Sequence, residues 1–206
     1  MGLHGEVAKL MSKNLMTEQR IKDALVTLLL LKPFHKITIT DLTTTANINR
    51  STYYYHYYRK EEVLKEVMDE AIRDLIYKME NSTANQRDYE IDQSVLPSTK
   101  ELFNHIFKYR HYYKSLLQSD VSYTFENKFI KALKQYVHNI QIDFGGNDKF
   151  VIDHQLYTNY QAYTVLGLIK HWIDTEFEES PIYLSEQLTS LLHVKVNSVS
   201  FTSKVK

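Results

Sequence analysis

The side chains best suited to chemistry cluster between Thr38 and Lys60. The run Arg50-Ser-Thr-Tyr-Tyr-Tyr-His-Tyr57 places a guanidinium, two aliphatic hydroxyls, phenols and an imidazole within one short stretch. Such groups hydrogen-bond phosphate oxygens, and Arg, Ser and Thr also reach base edges in the major groove of duplex DNA. Asn49, Arg50, Ser51 and Thr52 head the run, where base-edge contacts are made. Tyr54 and His56, farther along, suit phosphates, as do Thr38, Thr40 and the Lys60 ammonium. Each residue also has a plainer role available, because hydroxyls cap helices and tyrosines pack cores. Tyr53 and Tyr57, four residues apart, are assigned to packing, and Arg50, Thr52 and Tyr54 to recognition.

Enzyme constellations are missing from the sequence. There is no Gly-rich phosphate loop, no G-x-S-x-G elbow and no His-Glu-x-x-His pair. The chain has no Cys, which excludes disulfides, thiolate metal sites and Cys nucleophiles. Nine His are scattered without ligand spacing, and His105 and His111 do not share a helix face. No catalytic residue, metal ligand or cofactor is assigned.

The elements that must hold the polar run are helical. Five Gly and three Pro in 206 residues are too few for an all-β fold, which needs turn residues every few positions. From Thr17, taken as a helix start, Ile21, Ala24, Leu25, Leu28 and Leu29 recur at helical spacing until Lys32-Pro33. Thr38 and Asp41 form a capping box for a second helix that carries Ile39, Leu42 and Ala46 inward. Asn47-Ile48-Asn49 is the turn, with Asn47 tolerating left-handed backbone and Asn49 as a strong N-cap. Two short helices joined by so tight a turn make a helix-turn-helix, which lays its second helix in the major groove. A long helix opens at Lys60-Glu61-Glu62, and residues 81–97 read as a linker. Ser98 and Glu101 make a second capping box. Helical segments follow at about 109–118, 122–142, 149–178 and 182–194, with a Gly145-Gly146-Asn147 turn and a Ser180-Pro181 helix start. The expectation is an all-α chain of about nine helices.

Composition is that of a globular protein, 43% hydrophobic and 24% charged with 25 acidic and 25 basic side chains. The zero net charge is unevenly spread: residues 17–60 carry seven basic and three acidic side chains, and residues 61–74 two basic and six acidic. A basic module before an acidic helix suits a local polyanion-binding face. The longest nearly apolar stretch, Ala24 to Leu31, is far short of the roughly 20 residues that span a bilayer. No membrane partner is expected, and a cytoplasmic protein is.

The segments Ile21-Lys-Asp-Ala-Leu, Phe34-His-Lys-Ile-Thr-Ile-Thr-Asp-Leu and Ala46-Asn-Ile-Asn-Arg-Ser-Thr-Tyr-Tyr-Tyr-His-Tyr-Tyr-Arg-Lys60-Glu-Glu-Val-Leu resemble the N-terminal domain of TetR/AcrR-type transcriptional regulators. The match runs without gaps over about residues 17–70. Two positions depart from the family pattern: Asn47 where Gly is usual, and Ser51 where Gly or another small residue is frequent. The C-terminal half, through Leu102-Phe-x-x-Ile-Phe, Tyr112-Tyr-x-x-Leu-Leu and Gly167-x-Ile-x-x-Trp172-Ile, looks like the dihydroxyacetone-kinase-regulator-like subgroup.

The resemblance implies a homodimer that binds a pseudo-palindromic double-stranded DNA operator and represses transcription until an unidentified small-molecule effector releases it. It divides the chain into an N-terminal extension (1–16), a helix-turn-helix domain (17–62), a ligand-binding and dimerisation domain (63–194) and a flexible tail (195–206). The last two long helices, about 149–178 and 182–194, are expected at the dimer interface. Aromatic residues crowd the C-terminal half, and His105, Tyr109, Tyr113, Tyr163 and Trp172 are the candidates for lining an effector pocket. A second reading keeps the fold and makes the protein a coactivator or adaptor that works through protein–protein contacts.

Overall fold

The computed structural model describes residues 3–83, 95–139 and 153–193, and among these it contains nine α-helices, one 3-10 turn and no strand. The helices are α1 (Leu3–Leu29), α2 (Ile39–Ala46), α3 (Arg50–His56), α4 (Lys60–Thr83), α5 (Pro97–Lys108), α6 (Arg110–Gln118), α7 (Ser122–His138), α8 (His154–Asp174) and α9 (Pro181–His193), with the 3-10 turn at Phe34–Lys36. The all-α expectation holds. No helix among the described residues is long and apolar enough to cross a membrane.

Packing follows the apolar stripes. Ile21, Leu25 and Leu28 of α1 meet Leu42 and Ala46 of α2, Tyr53 of α3 and Val63 of α4 in one buried cluster. The same cluster continues into the C-terminal half, where α5 packs against both α4 and α9, and α7 against α8. Phe103, Tyr113, Phe125, Phe129 and Trp172 are fully buried there. Phe103 meets Trp172 edge-to-face at 5.7 Å between centroids, and Tyr113 meets Phe125 likewise at 6.0 Å. Edge-to-face contact aligns the positive ring edge with a negative face.

Several boundaries depart from the sequence expectation. The first helix begins at Leu3 rather than Thr17, whose hydroxyl donates to the Lys13 carbonyl inside the continuing helix. Residues 6–16 contain no Gly or Pro, so nothing interrupts the helix before the apolar stripe begins. Asn49 sits at the N-cap position of α3 but makes no side-chain capping bond. The Ser98–Glu101 capping box does not form. Pro97 takes the first helical position with Leu96 ahead of it, which moves both Ser98 and Glu101 inside the helix. α8 starts on the Asp153 carboxylate, which accepts from Leu156 N, and ends at Asp174 instead of 178. Glu176 and Phe177 adopt left-handed backbone there, letting Phe177 N reach the Trp172 carbonyl at 2.8 Å. Ser180 does cap α9, accepting from Tyr183 N. The Gly145-Gly146-Asn147 turn and the tail 195–206 lie outside the described residues.

Candidate nucleic-acid interface

Local chemistry builds α2 and α3. The Thr38 hydroxyl accepts from Asp41 N while the Asp41 carboxylate accepts from Thr38 N, so two otherwise orphaned donors are satisfied reciprocally. The Lys32 ammonium, 2.7 Å away, and these donors hold the Asp41 carboxyl down at about 2. Asn47 ends α2 at φ 51°, a left-handed conformation that Asn tolerates well. Arg20 of α1 clamps that turn by donating to the Asn47 carbonyl at 2.8 Å.

This turn swings α3 out so that its two sides differ. Tyr53 and Tyr57 are buried, as expected from their spacing. Burial pushes the Tyr53 phenol up to about 12, so it stays protonated. The Tyr57 phenol is also raised, first by burial and then by its 2.7 Å bond to Glu66. Asn49, Arg50, Ser51 and Tyr54 are exposed, and Thr52 is half-buried. Arg50 Nη2 lies 3.4 Å from the Tyr54 hydroxyl with its guanidinium near that ring, so the two side chains brace each other. Thr38 and Thr40 are exposed at the start of α2.

Two of the residues expected on this face are engaged inside the protein. Lys60 Nζ donates to the carbonyls of Phe34 (2.7 Å), Ile37 (2.7 Å) and His35 (3.1 Å), and lies over the Phe34 ring. An ammonium has three N–H donors, and all three are used. The His56 side chain is nearly fully buried, with Nδ1 3.1 Å from Glu18 of α1. Both residues therefore fasten the module to itself. What the sequence did not single out is a polar groove of about 470 Å3 beside α3, lined by Lys13, Thr17 and Arg20 of α1 with Thr44, Asn47 and Thr52. Its signal was the 13, 17, 20 spacing, which places three donors on one face of α1.

The effector-pocket candidates do not converge. His105 and Tyr109 line a cavity of about 800 Å3 where α1, α4, α5 and α6 meet. Tyr113 is fully buried behind it, with its hydroxyl 3.1 Å from His105 Nδ1. Trp172 is fully buried and donates to the Glu179 carbonyl. Tyr163 is exposed on the far side of α8, with the Lys134 ammonium over its ring. Burial drives the His105 imidazole down to about 4, against the pull of Asp74. A neutral ring fits its partners, with Nε2–H donating to Asp74 Oδ2 at 3.0 Å and Nδ1 accepting from Tyr113. Sequence reasoning missed Asp23, Glu70 and Asp74 on the cavity wall. On α4 the signal was the 67, 70, 71, 74, 77 spacing of one helix face.

The model of the TetR-type "Transcriptional regulator C-terminal region" matches residues 93–194. An HTH-type transcriptional regulator of Bacillus subtilis strain 168, YxbF, is 25% identical over 160 residues, which make up 77% of this chain and 40% of the relative. The chain belongs to the TetR family of transcriptional regulators. It spans less than half the length of that curated relative. Solved TetR-type folds superpose along most of this TetR-family chain. A putative fatty acid metabolism regulator of Clostridium perfringens covers 86% of it and 100% of its own length, at TM-score 0.64 and 15% identity. The regulator FadR of Bacillus subtilis, solved with stearoyl-CoA, covers 84% and 96% at TM-score 0.62 and 17% identity. The dihydroxyacetone kinase operon activator DhaS covers 86% and 94% at TM-score 0.58 and 19% identity. These likenesses bear on the fold. Fold and relatives are those of regulators, not enzymes.

Proposed function

We propose that the protein binds a pseudo-palindromic DNA operator as a homodimer, represses transcription from it and is released by a small molecule. The observation that carries the reading is the two-sided α3: Tyr53 and Tyr57 anchor it while Asn49, Arg50, Ser51 and Tyr54 are exposed together. Arg50, Ser51 and Thr52 meet base edges. Thr38, Thr40, Tyr54 and the Lys13–Thr17–Arg20 groove meet phosphates. Lys60 and His56 act indirectly, by holding α3 against α1 and α4. Residues 17–62 are the DNA-reading unit and 63–194 the regulatory and dimerisation unit, and residues 3–16 extend the first helix.

Dimerisation is supported by the outer faces of α8 and α9. Leu156, Tyr160 and Tyr163 are exposed along one face of α8, and Ile182 and Tyr183 are exposed on α9. Gly167 continues the α8 face, and a Cβ there would meet no atom within 4 Å. Burying such a stripe against a second copy puts two α3 helices on one DNA face, where they must sit about 34–36 Å apart.

Selection of duplexes from a random pool at two salt concentrations tests the reading. An enriched inverted repeat, with affinity falling at a log–log slope of roughly −0.9 per phosphate neutralised, is the expected result. A folded dimer that enriches nothing at low salt overturns it and leaves the protein-binding adaptor.

A further inference from the structure

The cavity between α1, α4, α5 and α6 stands apart from the DNA-reading face. Its volume of about 800 Å3 falls within the roughly 300–1,000 Å3 of small-molecule sites. Gln19 and Asp23 come from α1, Glu70 and Asp74 from α4, Tyr109 from the α5–α6 junction and Tyr112 from α6. Three carboxylates thus face a single guanidinium, Arg73, which is exposed. We propose that this cavity binds an organic cation with an aromatic or apolar body, and that the cation is the effector that weakens DNA binding. The effector clause rests on the ligand-released operator reading above; the site does not.

The sign of the ligand's charge follows from how the carboxylates are answered. Asp23 has only neutral partners, the Gln19 amide at 3.0 Å and the Tyr112 hydroxyl. Glu70 shares one ammonium, Lys22, with Glu66. Asp74 is met by Lys78 at 2.9 Å and by the neutral His105. The aromatic walls agree, because a ring face carries negative quadrupole density and attracts cations. Tyr109 already does so within the protein, with the Lys78 and Lys108 ammoniums 5.4 and 5.1 Å from its centroid. A carboxylate or phosphate ligand would meet like charge at Asp23, Glu70 and Asp74.

The same groups couple the cavity to the DNA-reading module. Tyr112–Asp23 ties α6 to α1, and Lys22–Glu70 ties α1 to α4. A cation at these carboxylates competes with both ties. It therefore binds best to a state in which α1 has shifted, and its preference for that state sets how far DNA affinity falls.

Isothermal calorimetry on the full chain without DNA, using tetraphenylphosphonium and the near-isosteric anion tetraphenylborate, tests the site. The phosphonium is expected to bind at least tenfold tighter than the borate. Asp23→Asn and Tyr109→Leu, each first checked by circular dichroism for an unchanged helical fold, are expected to weaken it at least fivefold. Equal affinities, a preference for borate, no heat from either ion, or a folded Asp23→Asn that binds like the parent overturns the site. DNA binding is then measured with and without phosphonium. Unchanged DNA affinity on saturation overturns the effector clause alone. Failure to enrich any duplex, with phosphonium still bound, overturns the operator reading and leaves the site standing.

Discussion

Lys22 of α1 donates to both carboxylate oxygens of Glu70 on α4 at 2.7 Å, joining the first helix to the one that leads into the C-terminal half. The ammonium is almost completely buried, and it also lies 3.1 Å from Glu66. Burial alone would lower the lysine's proton affinity, yet the two carboxylates outweigh it and leave the pKa above the usual lysine value. Lys22→Met leaves two acids facing each other without a cation. We expect a loss of about 2 kcal/mol, between the value of an exposed pair and that of a buried one. Urea unfolding of parent and variant measures it; equal midpoints would contradict the account.

Lys60 is expected to behave as a structural residue. Three charge-assisted bonds to the 34–37 turn are lost in Lys60→Met, costing on the order of 2–3 kcal/mol. At a temperature where the variant stays folded, its salt slope for DNA should equal that of the parent. A slope smaller by about 0.9 would instead mean that the ammonium contacts a phosphate.

Arg50→Ala is expected to act on recognition and leave stability nearly unchanged, because Arg50 is exposed and its protein partner is Tyr54. Discrimination at one base pair of each half-site should fall by about 1–3 kcal/mol. Repeating the duplex selection with the variant reads this directly. Uniform weakening across all positions would reassign Arg50 to the backbone.

Gly167→Arg separates folding from assembly. The added side chain points into open space in a single chain, and Gly is the poorest helix former after Pro. Helical content should persist while the protein sediments as a monomer and loses operator affinity. A variant that remains dimeric moves the interface off α8.

His105 makes stability depend on acid. Its folded pKa of about 4 lies below the ordinary 6.5, so between those values the unfolded chain binds the extra proton. Stability is unaffected above about pH 6.5 and falls as pH drops toward 4, by at most about 1.4 kcal/mol per pH unit. His105→Gln should flatten that part of the curve in thermal melts taken across the window. An unchanged slope would place the proton uptake on another group.

By itself the sequence determined the helix-turn-helix, because its signals are short-ranged. The Thr38–Asp41 cap spans three residues, Asn47 carries its own backbone tolerance, and Tyr53 and Tyr57 recur at one helical turn. The apolar stripes likewise specified helices, since burial periodicity is a local property. Only tertiary structure decided where polar side chains end up. Lys60 finds its carbonyl partners 23 to 26 residues away and His56 its carboxylate 38 residues away, distances that no pattern along the chain encodes. Tyr163 and Trp172 look alike in sequence, yet nine residues at about 100° each put them on opposite sides of α8, one exposed and one buried. The cavity gathers residues from Gln19 to Tyr112, and it exists because four helices pack around it.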